Sequence, residues 1–284
     1  MNRLSTEKRG HVVGCLVEGM SIRATCRVTG AAKNTVTKLL VDLGEACSAY
    51  MNETLVDLPS RRIECDEIWS FVYAKAKNMP PELVGTFGYG DVWTWVAIDA
   101  DTKLVPAYLI GRRDATDAYR FMSDLAGRLK NRVQLTTDGH SVYLMAVEGA
   151  FGSDVDYAML QKIYGIPPEA ETRYSPAECT GVDVRVIQGD PDPELISTSY
   201  VERQNLTMRM GMRRFTRLTN AFSKKVENLT AAVSLHVFHY NFARPHKSLA
   251  NPYPRTPAMA AGVADHIWTL DEIAGLLESV GTRT

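Results

Sequence analysis

The run Ile63-Glu64-Cys65-Asp66-Glu67-Ile68-Trp69-Ser70-Phe71-Val72-Tyr73 sets β-branched and aromatic residues around three acids. That content predicts a strand. Side chains alternate along a strand, so Asp66 and Glu64 share one face and Glu67 lies on the other. Beyond a loop through Pro80-Pro81, residues 92–98 and 104–110 alternate as strands, with a turn at Asp99-Ala100-Asp101 between them. Residues 114–129 carry Ala118, Phe121, Met122 and Leu125 on one helical face. Residues 133–137 form a short strand that runs into Asp138-Gly139-His140, and a helix over 143–150 follows. Residues 151–180 hold adjacent prolines and no clear period, so they read as an insertion, with a further strand at 182–187. Residues 199–219 and 224–242 read as long helices. Thr269-Leu270-Asp271-Glu272 has capping-box spacing and opens a last amphipathic helix.

Three strands, a helix, a strand, a helix, a strand and a helix is the order of a ribonuclease-H-like α/β fold. The expectation is a mixed five-stranded sheet with helices on both faces. Before it, residues 6–18 form an amphipathic helix that stops at Gly19, Ser21 caps a second helix, and residues 33–50 form a third. Small Cys26, turn Gly30 and apolar Val36 fit the spacing of a helix-turn-helix, whose last helix enters the DNA major groove. Lys33, Asn34, Thr35, Thr37 and Lys38 would then face DNA, although Ala32 stands where a Ser or Thr cap is preferred. Pro59-Ser60-Arg61-Arg62 marks the boundary. The expected division is a helix-turn-helix domain over 1–58, a catalytic domain over 59–230 with an insertion at 151–180, and a helical segment over 231–284.

Composition bounds the function. The chain has 284 residues, 45% apolar and 23% charged, as in an ordinary globular protein. No apolar run approaches the ~20 residues of a membrane span, and no apolar leader opens the sequence, so a cytoplasmic protein is expected. The five cysteines never fall as C-x-x-C, which argues against a disulfide framework and a cysteine-rich zinc site. Net charge is −1, yet it is unevenly spread. Residues 203–225 hold seven Lys/Arg and no acid, whereas residues 138–195 hold eleven acids and three bases. Such a chain can still present a basic face to phosphates.

Three acids stand out: Asp66 in the first strand, Asp138 at the end of the fourth, and Glu202 near the start of a later helix. Each has an ordinary alternative. Glu64 or Glu67 is a possible substitute for Asp66, Asp138 can open a turn before Gly139, and Ser199-x-x-Glu202 is itself a capping box. The segments Cys65-Asp66-Glu67-Ile68-Trp69, Thr136-Thr137-Asp138-Gly139-His140 and Tyr200-Val201-Glu202-Arg203-Gln204-Asn205 together resemble the DDE transposases of bacterial insertion sequences, most of all the insertion-sequence-one family. The resemblance spans residues 62–261. Arg209, seven residues after Glu202, matches a basic residue frequent there, and Tyr240-Asn241-Phe242-Ala243-Arg244-Pro245-His246 resembles a segment of insertion-sequence integrase domains.

The resemblance implies catalytic, metal-holding roles for Asp66, Asp138 and Glu202, with two Mg²⁺ or Mn²⁺ ions. It implies hydrolysis at the ends of a mobile element, transfer of the freed 3′-OH to target DNA, and a homodimer or larger synaptic assembly on double-stranded DNA. Hard divalent ions prefer carboxylate oxygens, and an ion pair can clamp both the attacking and the leaving oxygen. Without metal the three carboxylates repel one another, so partial protonation is expected. His140 is placed to contact a phosphate or orient Asp138. Arg203, Arg209, Arg213 and Arg217 lie on or just after the Glu202 helix, where the last three share a stripe able to track a DNA backbone. Trp93 and Trp95 read as core. A DNA-binding regulator with an inactive ribonuclease-H-like domain is the alternative.

Overall fold

Three helices come first in the computed structural model, which describes residues 4–165, 178–216 and 220–280: α1 (Thr6–Val17), α2 (Ile22–Thr29) and α3 (Lys33–Thr54). Ser5 and Ser21 cap the first two by accepting from Lys8 N and Ala24 N, while Ala32 gives α3 no side-chain cap. There follow β1 (Arg62–Val72), β2 (Gly90–Asp99), β3 (Tyr108–Gly111), α4 (Ala115–Arg128), β4 (Val133–Thr137) and α5 (Val142–Phe151). Then come β5 (Val155–Gly165), β6 (Glu178–Gln188), α6 (Ser199–Gly211), α7 (Val226–Phe238), α8 (Pro257–Ala260) and α9 (Leu270–Val280).

The sheet has six strands in the order β3-β2-β1-β4-β5-β6. The β1, β2 and β3 strands run antiparallel, β4 lies parallel to β1, β5 parallel to β4, and β6 antiparallel to β5. A mixed sheet with helices on both faces fits the ribonuclease-H-like α/β arrangement. One correction concerns its size: six strands replace the expected five. The segment read as an insertion over 151–180 contains β5, a central strand, and residues 166–177 of it lie outside the described residues. Its inner half, Val155-Asp156-Tyr157-Ala158-Met159-Leu160, is buried at every position but Asp156. A strand covered on both faces shows no alternation, which is why its period was invisible. The strand expected at 182–187 lies within β6 at the sheet edge, where Val182, Val184 and Val186 are exposed.

Two apolar layers enclose the sheet. On one face α4 and α5 cover Cys65, Trp95 and Ala97, and Trp95 packs against Phe121 and Tyr143. On the other, α3 and α7 meet Ile68, Val72, Val92 and Val96. Gly44 of α3 permits that helix crossing, since a Cβ there would stand 2.4 Å from Ala231 Cα of α7. The same core runs on into α1 and α9. The buried Arg9 side chain ties those two together, bonding Ala274 O at 3.2 Å and Glu278 Oε1 at 2.6 Å. The capping box of α9 forms as spaced, with Thr269 N donating to Glu272 Oε2 and Glu272 N to Thr269 Oγ1.

A second correction concerns α6. It ends at Gly211 rather than near residue 219, the chain extends at Met212, and Arg213–Phe215 forms a separate 3-10 turn. Ending there lets Met212 and Phe215 enter the core. It also brings the carbonyl of Gly211 against Gly19, where a Cβ would sit 2.7 Å from that oxygen and φ is +77°. Only glycine meets both conditions. The helical stripe expected through Arg209, Arg213 and Arg217 therefore stops after Arg209, and Arg217 lies outside the described residues.

The start of α6 is fixed from the sheet. A helix leaves its first amides without partners inside itself. Here Ser199 N bonds Ser197 Oγ, Tyr200 N and Val201 N bond Glu64 Oε2 at 2.7 and 3.0 Å, and Glu202 N bonds Thr198 O. A buried carboxylate on β1 thus caps a helix 136 residues away in sequence. Glu64→Ala should lower the unfolding free energy by about 2 kcal/mol, because two amides lose their acceptor. Glu64→Gln, which keeps an acceptor oxygen, should lose less. Urea unfolding measures both, and an unchanged midpoint for Glu64→Ala would show that α6 is held by packing alone.

Candidate active site

The parallel pairing of β1 with β4 ends at Cys65 opposite Thr137. The next residues, Asp66 and Asp138, therefore meet where the ladder stops. Asp138 does open a turn, its Oδ1 accepting from His140 N at 3.0 Å. Asp66 accepts from Glu67 N through Oδ1 and from Asn205 Nδ2 of α6 through Oδ2, both at 2.8 Å. Glu67 rises from the opposite face of β1. Beyond the end of β4 that edge of β1 is open, and donor oxygens of Asp66, Glu67 and Asp138 all lie within 4.8 Å of one another.

Glu202 stands in the wall of the same cavity. An open space of about 670 Å³ is bounded by Asp66, Asp138, Glu202, Asn205, Arg113 and Lys162, among others. The Glu202 carboxylate accepts from no backbone amide of its own helix, only from side chains, one of them the Thr198 hydroxyl at the helix start. It accepts from Lys162 Nζ at 2.6 Å and from Thr198 Oγ1 at 2.8 Å. Burial, then the neighbouring Asp138 charge, raises the Asp66 carboxyl to about 6. The same two causes raise Glu67 to about 7. Crowded carboxylates out of water thus retain protons near neutrality.

These groups suit a hard divalent cation. All are oxygen donors, and Glu67 Oε1 is a buried atom with no hydrogen-bond partner among the described residues. Asp66, Glu67 and Asp138 could share an ion directly. Glu202 could join once released from Lys162. Arg113 reaches the cluster from the β3–α4 junction, 3.2 Å from Glu67 Oε2 and 3.6 Å from Asp138 Oδ2.

The remaining expected residues separate into two places. Arg209 lines the carboxylate cavity, and His140 lies beside it with its ring Nε2 buried and without a hydrogen-bond partner among the described residues. Burial and then Arg113 lower the His140 pKa, which keeps the ring neutral. The backbone of His140, rather than its ring, orients Asp138. A second groove of about 1090 Å³ lies between α3 and the chain after α6, lined by Lys33, Asn34, Thr37, Lys38, Arg213 and Lys224 among others. Lys38 is paired with Asp42 at 2.7 Å. Thr35 is exposed outside that groove, and Arg203 is exposed on α6 and lines neither space. Trp95 is core, whereas Trp93 is partly exposed and carries Arg113 on its face.

Two members of the site carry no sequence signal: Lys162 falls within the expected insertion, and Arg113 sits in a loop without any motif. Glu67, expected only as a substitute for Asp66, joins it from the far face of β1. The spacing of Asn205 one helical turn after Glu202 was a usable sign, since it puts both on one side of α6.

No family profile matches the chain, and no curated protein does. Among solved structures it is similar to a chain of the simian T-cell lymphotropic virus intasome in complex with PP2A regulatory subunit B56 gamma. That match has 14% identity and a TM-score of 0.39, covering 90% of this chain and 74% of the other. A chain of the Mos1 strand transfer complex aligns at 11% identity and a TM-score of 0.34, over 98% of this chain and 77% of that one. A chain of the Mos1 transposase paired-end complex with left transposon end aligns at 13% and 0.24, over 55% and 60%. Overlaps this loose leave the function to rest on the site itself.

Proposed function

We propose that this protein is a DNA transposase of the bacterial insertion-sequence type. The observation that carries this reading is the meeting of Asp66, Asp138 and Glu202, from β1, β4 and α6, around one open cavity. Asp66, Asp138 and Glu202 would hold two Mg²⁺ or Mn²⁺ ions, with Glu67 adjoining. Such ions activate an attacking oxygen and stabilise the leaving 3′ oxygen. The protein's own groups set the stage: Asn205 orients Asp66, the turn at His140 orients Asp138, and Lys162 holds Glu202 in reserve. The reaction is cleavage at element ends, then attack of the freed 3′-OH on target DNA. Because an element has two ends, a homodimer or larger assembly is the working unit.

Residues 1–58 act in this reading as the helix-turn-helix that reads terminal-repeat DNA, residues 59–230 carry the chemistry, and residues 231–284 brace both. The basic groove holding Lys33, Asn34, Thr37, Lys38 and Arg213 takes the duplex. Arg209 lines the carboxylate cavity, two residues before Gly211, which lines the groove. Arg214 supports a polyanion there: its guanidinium bonds Ser223 Oγ at 2.8 Å and has no carboxylate partner among the described residues.

Joining of a labelled, pre-cut element end to a plasmid tests the reading. Asp66→Asn, Asp138→Asn and Glu202→Gln should each lower the rate by roughly 10³-fold or more, the loss of several kcal/mol of transition-state stabilisation. End binding should persist. Full joining by any of the three removes that residue from the site.

DNA affinity against salt tests the groove. Each phosphate contact contributes a slope of roughly −0.9 on a log–log plot, so Lys33→Ala with Arg213→Ala should flatten it by about 1.8. A slope equal to the parent's would place the duplex elsewhere. Anisotropy without divalent metal keeps cleavage out of the measurement.

A further inference from the structure

The Arg113 guanidinium is wedged between an aromatic face and two carboxylates. Its central carbon lies 4.7 Å from the middle of the Trp93 ring. The closest approach to both acids is by one nitrogen, Nη2, at 3.2 Å to Glu67 and 3.6 Å to Asp138. Charge-assisted bonds of this kind are ordinarily nearer 2.8 Å. The contact therefore neutralises charge without a tight fork. Glu67 is fully buried at its side chain, so the cation beside it offsets a large desolvation cost. Arg113 is itself partly exposed and has room to leave toward solvent.

We propose that Arg113 is a positioning residue that stands in for the divalent ion. On the Trp93 face it holds the Glu67 and Asp138 carboxylates together, and it leaves toward solvent when an ion enters. Trp93 holds the arginine in the position beside the carboxylates by cation–π attraction, so losing that ring weakens the arginine's hold. Arg113 and the metal then compete for one set of oxygens. Whatever weakens the arginine's hold must strengthen the metal's, because the two share a single linkage. This inference rests on reading the carboxylates as a metal cage.

Manganese titration by electron paramagnetic resonance, paired with thermal unfolding with and without Mn²⁺, reads the competition directly. Arg113→Met keeps the length of the side chain and removes its charge. It should bind Mn²⁺ roughly tenfold more tightly than the parent, as loss of one adjacent charge implies. Its metal-free melting temperature should fall, so that Mn²⁺ raises it further than it raises the parent's. Trp93→Leu, which leaves the charge but removes its shelf, should shift affinity the same way by less. Should Arg113→Met fail to fold, Trp93→Leu carries the test alone. Mn²⁺ binding equal to the parent's, or weaker, in the variant that folds overturns the stand-in role. Absence of parent Mn²⁺ binding that Asp66→Asn abolishes overturns the metal cage as well. The two failures are therefore distinguishable.

Discussion

The Glu64 carboxylate on the first amides of α6 is the contact on which the candidate site depends. Asp66 and Asp138 come from neighbouring parallel strands, and the sheet alone brings them together. Glu202 and Asn205 come from a helix that the chain reaches only after β6. Nothing in the sheet ladder positions that helix along its own axis. Glu64, one alternate position before Asp66 on the same face of β1, does so by accepting from Tyr200 and Val201. The register of α6 is thereby tied to the strand that carries Asp66. Asn205 then meets Asp66 and Glu202 faces the cavity.

The Glu64 bond also settles what the sequence left ambiguous. The Ser199-x-x-Glu202 spacing is a capping box, and a capping glutamate would be turned away from any metal. With the helix amides already satisfied by Glu64, Ser197 and Thr198, Glu202 is released from that duty. Its partner is Lys162 on β5, an ion pair that an incoming cation can exchange. Glu64 itself, a plausible rival to Asp66 on sequence grounds, is committed to the helix.

Much of this architecture was legible because the elements follow local rules. The β1 and β4 strands have the right content, Asp138-Gly139 has turn chemistry, and Thr269 and Ser21 sit at true caps. Three features were hidden for physical reasons. The inner half of β5 is buried on both faces and so lacks the alternation that identifies strands. Glu67 obeys strand alternation and still pairs with β2, yet on the other side of β1 the neighbouring β4 has already ended, which opens that edge between the faces. The Arg209, Arg213 and Arg217 stripe assumed a continuous helix, whereas burial of Met212 and Phe215 breaks it after Gly211. In each case tertiary packing, which no local window contains, decided the outcome.

The protein's own cations hold the carboxylates: Asp66 and Glu67 are raised toward neutral pH, Arg113 covers one side and Lys162 the other. A crystal soaked in Mn²⁺, with anomalous scattering collected at the manganese edge, tests the central claim most directly. The account predicts an anomalous peak at the Asp66 and Asp138 carboxylates, with Glu202 turned from Lys162 toward it. Saturating Mn²⁺ with no peak at those carboxylates, or with peaks only elsewhere on the protein, would contradict it.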